Sequence, residues 1–268
     1  GTGDSRLPRG QPLERHYPFL IVDAIYMKAR DDQRVKSRGF LIATGVNEEG
    51  NREVLGFEIA DSESEESWSR FFESLKARGL RAVDLVSSDN HGGLKNAIQK
   101  QFQGASWQRC QTHFSKNLLD KVSKKYRAEV KTALTDLYNA PDLKEAKSRK
   151  ERMLAIYEET APKAMGLLDE AFDDITAVFA LPQPYRKRLR TTNGIERLNE
   201  ELRRRERVIR IFPNDQSLIR LMGSVLMEHH EKWINGKKYF NMDCYFEERD
   251  EARRQALAQR ADHLQVVK

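Results

Sequence analysis

Three carboxylates occupy positions from which they could work together. Asp23 follows the apolar run Phe19-Leu20-Ile21-Val22, Asp89 closes Val86-Ser87-Ser88 before Asn90-His91-Gly92-Gly93, and Glu196 lies in Thr191-Thr192-Asn193-Gly194-Ile195-Glu196-Arg197-Leu198-Asn199. An acid inside a buried strand is costly unless it is paired or bound to metal. Each position also has an ordinary structural reading. Asp23 can be satisfied by a lysine or an amide, and Asp89 can cap a helix or close a turn. Glu196 can complete a capping box with Asn193, three residues before it. Taken together, the three form an all-oxygen ligand set that suits Mg²⁺ or Mn²⁺ rather than zinc. Two such ions about 4 Å apart activate a nucleophile and stabilise the leaving oxygen in an in-line phosphoryl displacement.

The charge pattern fits a polyanionic substrate. The chain has 268 residues, 33% of them charged, and a net charge of +6. Between Gln183 and Arg210 lie ten basic residues and four acidic ones, an excess equal to that of the whole chain. The basic patch is therefore local, and Arg186, Lys187, Arg188, Arg190, Arg203, Arg204, Arg205 and Arg207 are its candidate phosphate contacts. Two cysteines, Cys110 and Cys244, make no disulfide framework. With no leader and no apolar run of membrane length, the expected setting is the cytosol, with no membrane partner. Gly1–Ser5 is set aside as a leftover of expression.

The elements that must position these acids read in order. Tyr17–Lys28, Gly39–Val46 and Arg52–Ala60 are rich in β-branched and aromatic residues and form an antiparallel meander, with a turn at Asn47–Asn51. A helix over Ser62–Arg78 places Trp68, Phe71, Phe72 and Leu75 on one face. A strand at Ala82–Val86, a helix at His91–Phe102 and a short strand at Ala105–Arg109 follow. Helices are then expected at Cys110–Ser123, Tyr126–Asn139, Asp142–Glu159 and Ala161–Phe179. A basic segment precedes a helix from Asn193, and two more helices cover Asp215–Trp233 and Glu247–Val266. This order is the ribonuclease-H-like one: an α/β fold with a mixed five-stranded sheet. Its first strand is central and its fourth lies parallel beside it through a crossover helix. That topology sets Asp23 opposite Asp89.

Several motifs resemble the Mutator-type transposases of bacterial insertion sequences, a group of DDE transposases. They are the strand holding Asp23, Gly45-Val46-Asn47-Glu48-Glu49-Gly50, Val54-Leu55-Gly56, Asp61-Ser62-Glu63-Ser64, Ser88-Asp89-Asn90-His91-Gly92-Gly93-Leu94, Trp107-Gln108-Arg109-Cys110-Gln111-Thr112-His113-Phe114, Thr191–Arg207 and Ile211-Phe212-Pro213-Asn214. The likeness runs from about Pro12 to Trp233. It implies Asp23, Asp89 and Glu196 as the catalytic, metal-holding triad, with two Mg²⁺ or Mn²⁺ ions. It also implies an all-α insertion between the fifth strand and the helix of Glu196. The division expected is 12–120 and 183–240 for the two parts of the core, 121–182 for the insertion, and 241–268 for a helical tail. DNA is the implied substrate, cut at an element's ends and joined through a 3′-OH, with action as a homodimer on DNA. Family members usually carry a preceding helical region that reads terminal repeats, so this chain reads as a catalytic core.

Cys110 and His113 match the family's Cys/Asp-x-x-His motif. They are expected to brace the site rather than to complete a zinc site, which needs four ligands. Trp107 is expected in the core beside the site, with contact to a flipped base as the alternative. Asn193 is expected to cap the helix of Glu196. Two other functions are compatible with the same residues: a ribonuclease-H-type nuclease, and an inactive DNA-binding or assembly module.

Overall fold

The computed structural model describes residues 12–32 and 34–266, with side chains except at residue 253 and residues 256–266. Gly1–Ser5 lies outside them. Five strands form one sheet: β1 (Phe19–Asp31), β2 (Arg34–Val46), β3 (Arg52–Ala60), β4 (Leu85–Ser88) and β5 (Ser106–Arg109). Their order is β3-β2-β1-β4-β5. β1–β2 and β2–β3 are antiparallel, whereas β1–β4 and β4–β5 are parallel. The parallel pairings follow from the helices that intervene, α1 (Glu65–Ala77) before β4 and α2 (Gly92–Gln101) before β5. This mixed five-stranded arrangement is compatible with the expected ribonuclease-H-like order.

β1 is central because both of its faces are apolar. Leu20 and Val22 pack with Trp68, Phe71, Phe72 and Leu75 of α1 and with Leu94 and Ile98 of α2. Phe19, Ile21, Ile25 and Met27 point to the other face and pack against the helices that follow β5. Asp23 has the parity of Ile21 and Ile25, so it belongs to this second face. Ser64 caps α1 in a reciprocal bond with Ser67.

The later helices are α3 (Gln111–Leu119), α4 (Arg127–Tyr138), α5 (Leu143–Tyr157), α6 (Pro162–Thr176), α7 (Gln183–Leu189), α8 (Asn193–Ile209), α9 (Asp215–Ile234) and α10 (Asp243–Val266), with a 3-10 turn at Ala177–Ala180. The apolar faces of α4, α5 and α6 join one continuous core with β1, α8 and α9.

Some boundaries differ from expectation, for local reasons. β1 and β2 run on into a polar hairpin beyond Lys28 and before Gly39, paired throughout from Phe19↔Val46 to Asp31↔Arg34. Arg38 clamps that extension, bonding Asp31, Asp61 and Asp215. β4 starts at Leu85, three residues later than expected, because Ala82 has a positive φ of 59° that breaks extension. The basic segment contains α7, whose Pro184 suits a first turn and whose Tyr185 and Leu189 are buried. The Tyr185 hydroxyl donates to Asn241 O and accepts from Tyr245 N, which fixes the start of α10.

Candidate active site

The register between β1 and β4 pairs Phe19 with Leu85, Leu20 with Val86 and Ile21 with Ser87. Two residues further along both strands, Asp23 comes level with Asp89. Asp23 Oδ1 accepts from Ala24 N at 2.9 Å, and Oδ2 accepts from Asn199 Nδ2 at 2.7 Å. Burial is the largest influence on its carboxyl and the charge of Asp89 the next. Together they push its pKa up to about 7, against smaller pulls from the Ala24 amide and His113. This is the behaviour of two carboxylates in one poorly solvated place.

α8 carries the third acid. Ile195, Leu198 and Leu202 bury its apolar stripe, which turns Asn199 toward Asp23, while Ile209 at the end is exposed. The N-cap of α8 is Thr192, not Asn193, and Asn193 is the first helical residue. The expected Asn193–Glu196 capping box is absent. Glu196 N instead bonds Thr192 O at 2.9 Å, and the Thr192 hydroxyl lies 3.2 Å from Glu196 Oε1. Asn193 Oδ1 accepts from Thr112 of α3 at 3.3 Å.

Cys110 and His113 stand between the acids. Cys110 N bonds Ser88 O at 2.7 Å, which ties the start of α3 to the end of β4. The buried thiol accepts from Thr192 N at 3.4 Å. Burial pushes the thiol up, but hydrogen bonds from His113 and Thr192 outweigh it and hold it below its ordinary value. His113 is raised to about 9, first by its bond to Cys110, then, against burial, by the charges of Cys110, Asp89 and Asp23. An imidazolium therefore sits among the acids, with Nε2 3.9 Å from Glu196 Oε1. Among the described residues, the metal-ligating atoms of Cys110, His113 and Glu196 lie within 4.8 Å of one another. Glu196 does not join Asp23 and Asp89 in so tight a group. The Cys–His–Glu set is the softer donor set, whereas the carboxylates of Asp23 and Asp89 offer oxygen alone.

Trp107 is buried, as its core reading expected. Its Nε1 donates to Ser88 Oγ at 2.8 Å, next to Asp89. The basic candidates divide into two groups. Arg186 donates to Leu181 O and Pro141 O, and Arg190 to Tyr138 O and Asn139 Oδ1, so both hold α7 against neighbouring segments. Lys187 and Arg188, and Arg203, Arg204, Arg205 and Arg207 of α8, are exposed. Arg204 and Arg205 pair with Glu201.

Four residues at or beside the site were given no role of their own in the sequence reading. Asn199 and Thr192 hold two of the acids, and helical spacing from Glu196 alone could have flagged them. Glu63 is a fourth acid near Asp89. Burial raises its carboxyl and Asp89 adds to that, against His91 at 3.7 Å and the Trp68 indole at 3.1 Å. Arg52, in β3, bonds to the carbonyl of Gly194 at 3.5 Å. Nothing local to its own strand marks it.

A mixed five-stranded sheet with Asp23 on β1, Asp89 just past the end of the adjacent parallel β4, and helices on its faces defines an α/β protein with acids gathered at one end of its central strands. Residues 9–236 match the model of the family described as Transposase, Mutator family. The chain belongs to that family. It is 43% identical over 233 residues to the transposase for insertion sequence element IS256 in transposon Tn4001 of Staphylococcus aureus, covering 86% of this chain and 60% of that protein. It is 41% identical over 244 residues to the transposase for insertion sequence element ISRM5 of Rhizobium meliloti, with 91% and 61% covered. It is also 41% identical over 236 residues to the transposase for IS1081 of Mycobacterium tuberculosis, with 88% and 57% covered. The chain thus spans about 60% of the length of these relatives. Among the described residues, no helix is long and apolar enough to cross a membrane.

Proposed function

We propose that this chain is the catalytic part of a DNA transposase, and that Asp23, Asp89 and Glu196 form its metal-holding triad. The observation that carries the reading is the coupled pair. Asp23 is half-buried, faces Asp89, and has its carboxyl pushed to about 7. Two acids in that relation suit a cation between them, and an oxygen-only donor set suits Mg²⁺ or Mn²⁺. Two bound ions would supply activation of the attacking oxygen and stabilisation of the leaving one.

The chain's own residues hold and orient. Asn199 fixes Oδ2 of Asp23, and the Ala24 amide fixes Oδ1. The Thr192 hydroxyl and the His113 imidazolium hold Glu196 at the start of α8. A change of side-chain rotamer frees Glu196 from Thr192 to serve with the aspartates, and His113 offsets the negative charge until then. The exposed arginines of α8 grip phosphates of the DNA. The reaction is phosphodiester hydrolysis at an element's end, leaving a 3′-OH, followed by attack of that hydroxyl on a second strand. The chain acts as a homodimer because two ends must be paired. The helices α4, α5 and α6, within residues 121–182, constitute an all-α insertion within the ribonuclease-H-like core.

The test is joining of oligonucleotides bearing 3′-OH ends in Mg²⁺ or Mn²⁺, by native protein and by Glu196→Gln. Native joining with none in the variant is expected. Undiminished joining by the variant refutes the triad, and metal-dependent cutting without joining favours a nuclease.

A further inference from the structure

Beside the N-terminus of the Glu196 helix lies an open cavity of about 700 Å³. Six cations line it: Arg52, Lys187, Arg188, Arg197, Lys237 and Lys238. No acid does so among the described residues. They come from four places in the chain, so the concentration is a product of folding and not of one basic run. Only Lys187, Arg188 and Arg197 belong to the basic stretch Gln183–Arg210.

Arg52 is the fixed member. Its guanidinium carbon lies over Trp233, 3.5 Å from the ring centroid, and 5.0 Å from that of Tyr239. Gly194 leaves it room, since a Cβ there would stand 2.8 Å from Nη1. Its Nε is buried without a hydrogen-bond partner. The opposite wall is held as firmly. Tyr239 N and Phe240 N both donate to Gly50 O, Arg188 stacks 4.8 Å from the Tyr239 ring, and Arg188 Nη1 donates to Tyr239 O. Burial holds the Arg52 guanidinium below its ordinary value against the opposing pull of Tyr239, and the charges of Arg188 and Arg197 act in the same direction as burial. A rigid, partly desolvated arginine facing like charges is costly unless an anion sits among them.

We propose that this cavity is a docking site for the sugar–phosphate backbone of DNA, with Arg52 taking one phosphate and the surrounding cations its neighbours along the strand. The inference rests on the transposase reading for the choice of DNA over other polyanions. The cavity adjoins the first turn of α8, through Thr191, Asn193 and Gly194, and so lies two residues from Glu196. A strand seated there enters or leaves the carboxylate site directly. The site reads no sequence, because phosphates carry none. Arginine stacked on an aromatic ring is pre-organised for such a contact.

The test is fluorescence anisotropy of a labelled DNA duplex with the 268-residue chain, in EDTA and over a series of salt concentrations. Arg52→Gln and the paired change Lys237→Gln with Lys238→Gln are compared with native protein. Lys147→Gln, on the exposed face of α5, is the charge control. The cavity variants are expected to bind about tenfold or more weakly, with the salt slope reduced by about one for each cation removed. The control should stay within about twofold of native protein. Lys237 and Lys238 are exposed loop residues, so their variant decides the matter if Arg52→Gln unfolds. Binding by the paired variant within about twofold of native, at an unchanged slope, overturns the proposal. So does an RNA duplex that binds more tightly than DNA and loses as much in the variants. Joining is measured in parallel. Native joining with unimpaired binding by the paired variant removes the cavity and leaves the transposase. Cavity-dependent binding without joining removes the transposase reading and leaves the cavity.

Discussion

Replacing Asp23 by asparagine should make the metal-free protein more stable while abolishing its chemistry. The native carboxyl is held near 7, against an ordinary value of 3.8. A carboxyl raised in this way binds its proton more tightly folded than unfolded. Stability is then fully present below the unfolded value and falls as pH rises, levelling off above the folded value. Each pH unit across that window corresponds to about 1.36 kcal/mol, so ionising Asp23 in place costs roughly 4 kcal/mol at most. An amide at this position avoids the charge and keeps the contacts. Asn199 Oδ1 is buried and unpartnered, so turning its amide over presents an acceptor to the new amide. Allowing for local relaxation and water entry, we expect Asp23→Asn to gain about 2–4 kcal/mol near pH 8 in EDTA. For a chain of this size that is a rise of roughly 5–15 °C in Tm. The gain should shrink steadily on acidification and vanish near pH 4. Adding Mg²⁺ should stabilise native protein and leave the variant unmoved. A variant less stable than native protein near pH 8, or a difference independent of pH, refutes the burial argument.

Two further outcomes follow from the same geometry. Thr192→Val removes a hydroxyl at nearly constant shape and releases Glu196 from its hold, the change that service with the aspartates requires, so joining should run at the native rate or up to about tenfold faster with metal affinity little changed; a roughly tenfold slower rate refutes the release of Glu196 from Thr192 as a step toward the active arrangement. Gly93→Ala would place a Cβ 2.6 Å from Glu65 N and 2.8 Å from Ser64 C. Backbone would have to yield where α2 meets α1, and urea denaturation should show a loss of about 1–3 kcal/mol.

The sheet was legible because its residues obey simple rules. β1, β2 and β3 are runs of β-branched and aromatic residues broken by the Asn47–Asn51 turn, and Trp68, Phe71, Phe72 and Leu75 announce α1 by their spacing. The neighbourhood of Asp23 and Asp89 was legible too, since a parallel β1–β4 pairing leaves little freedom in where the two acids meet. What escaped depends on contacts far apart in sequence. The polar end of the β1–β2 hairpin is held by Arg38 on Asp61 and Asp215, distances along the chain that no local pattern shows. Arg186 and Arg190 read as two more members of a basic patch, but carbonyls at Pro141, Leu181 and Tyr138 take their donors. Asn193 read as a cap because Asn is favoured there. One residue decided otherwise: the buried Thr192 bonds Cys110 and Glu196 and so begins α8 a residue early. Arg52 sits in an ordinary strand sequence and gains its surroundings only when α8, α9 and the Lys237–Tyr239 loop close around it.

The claim that the three acids share a metal is tested most directly by Mn²⁺ binding, followed by electron paramagnetic resonance without DNA and again with a 3′-OH duplex. Binding should tighten as pH rises through about 7, where Asp23 gives up its proton. Asp23→Asn and Asp89→Asn should each abolish it, and Glu196→Gln should weaken it most with DNA present. Mn²⁺ bound equally by native protein and all three variants would contradict the account.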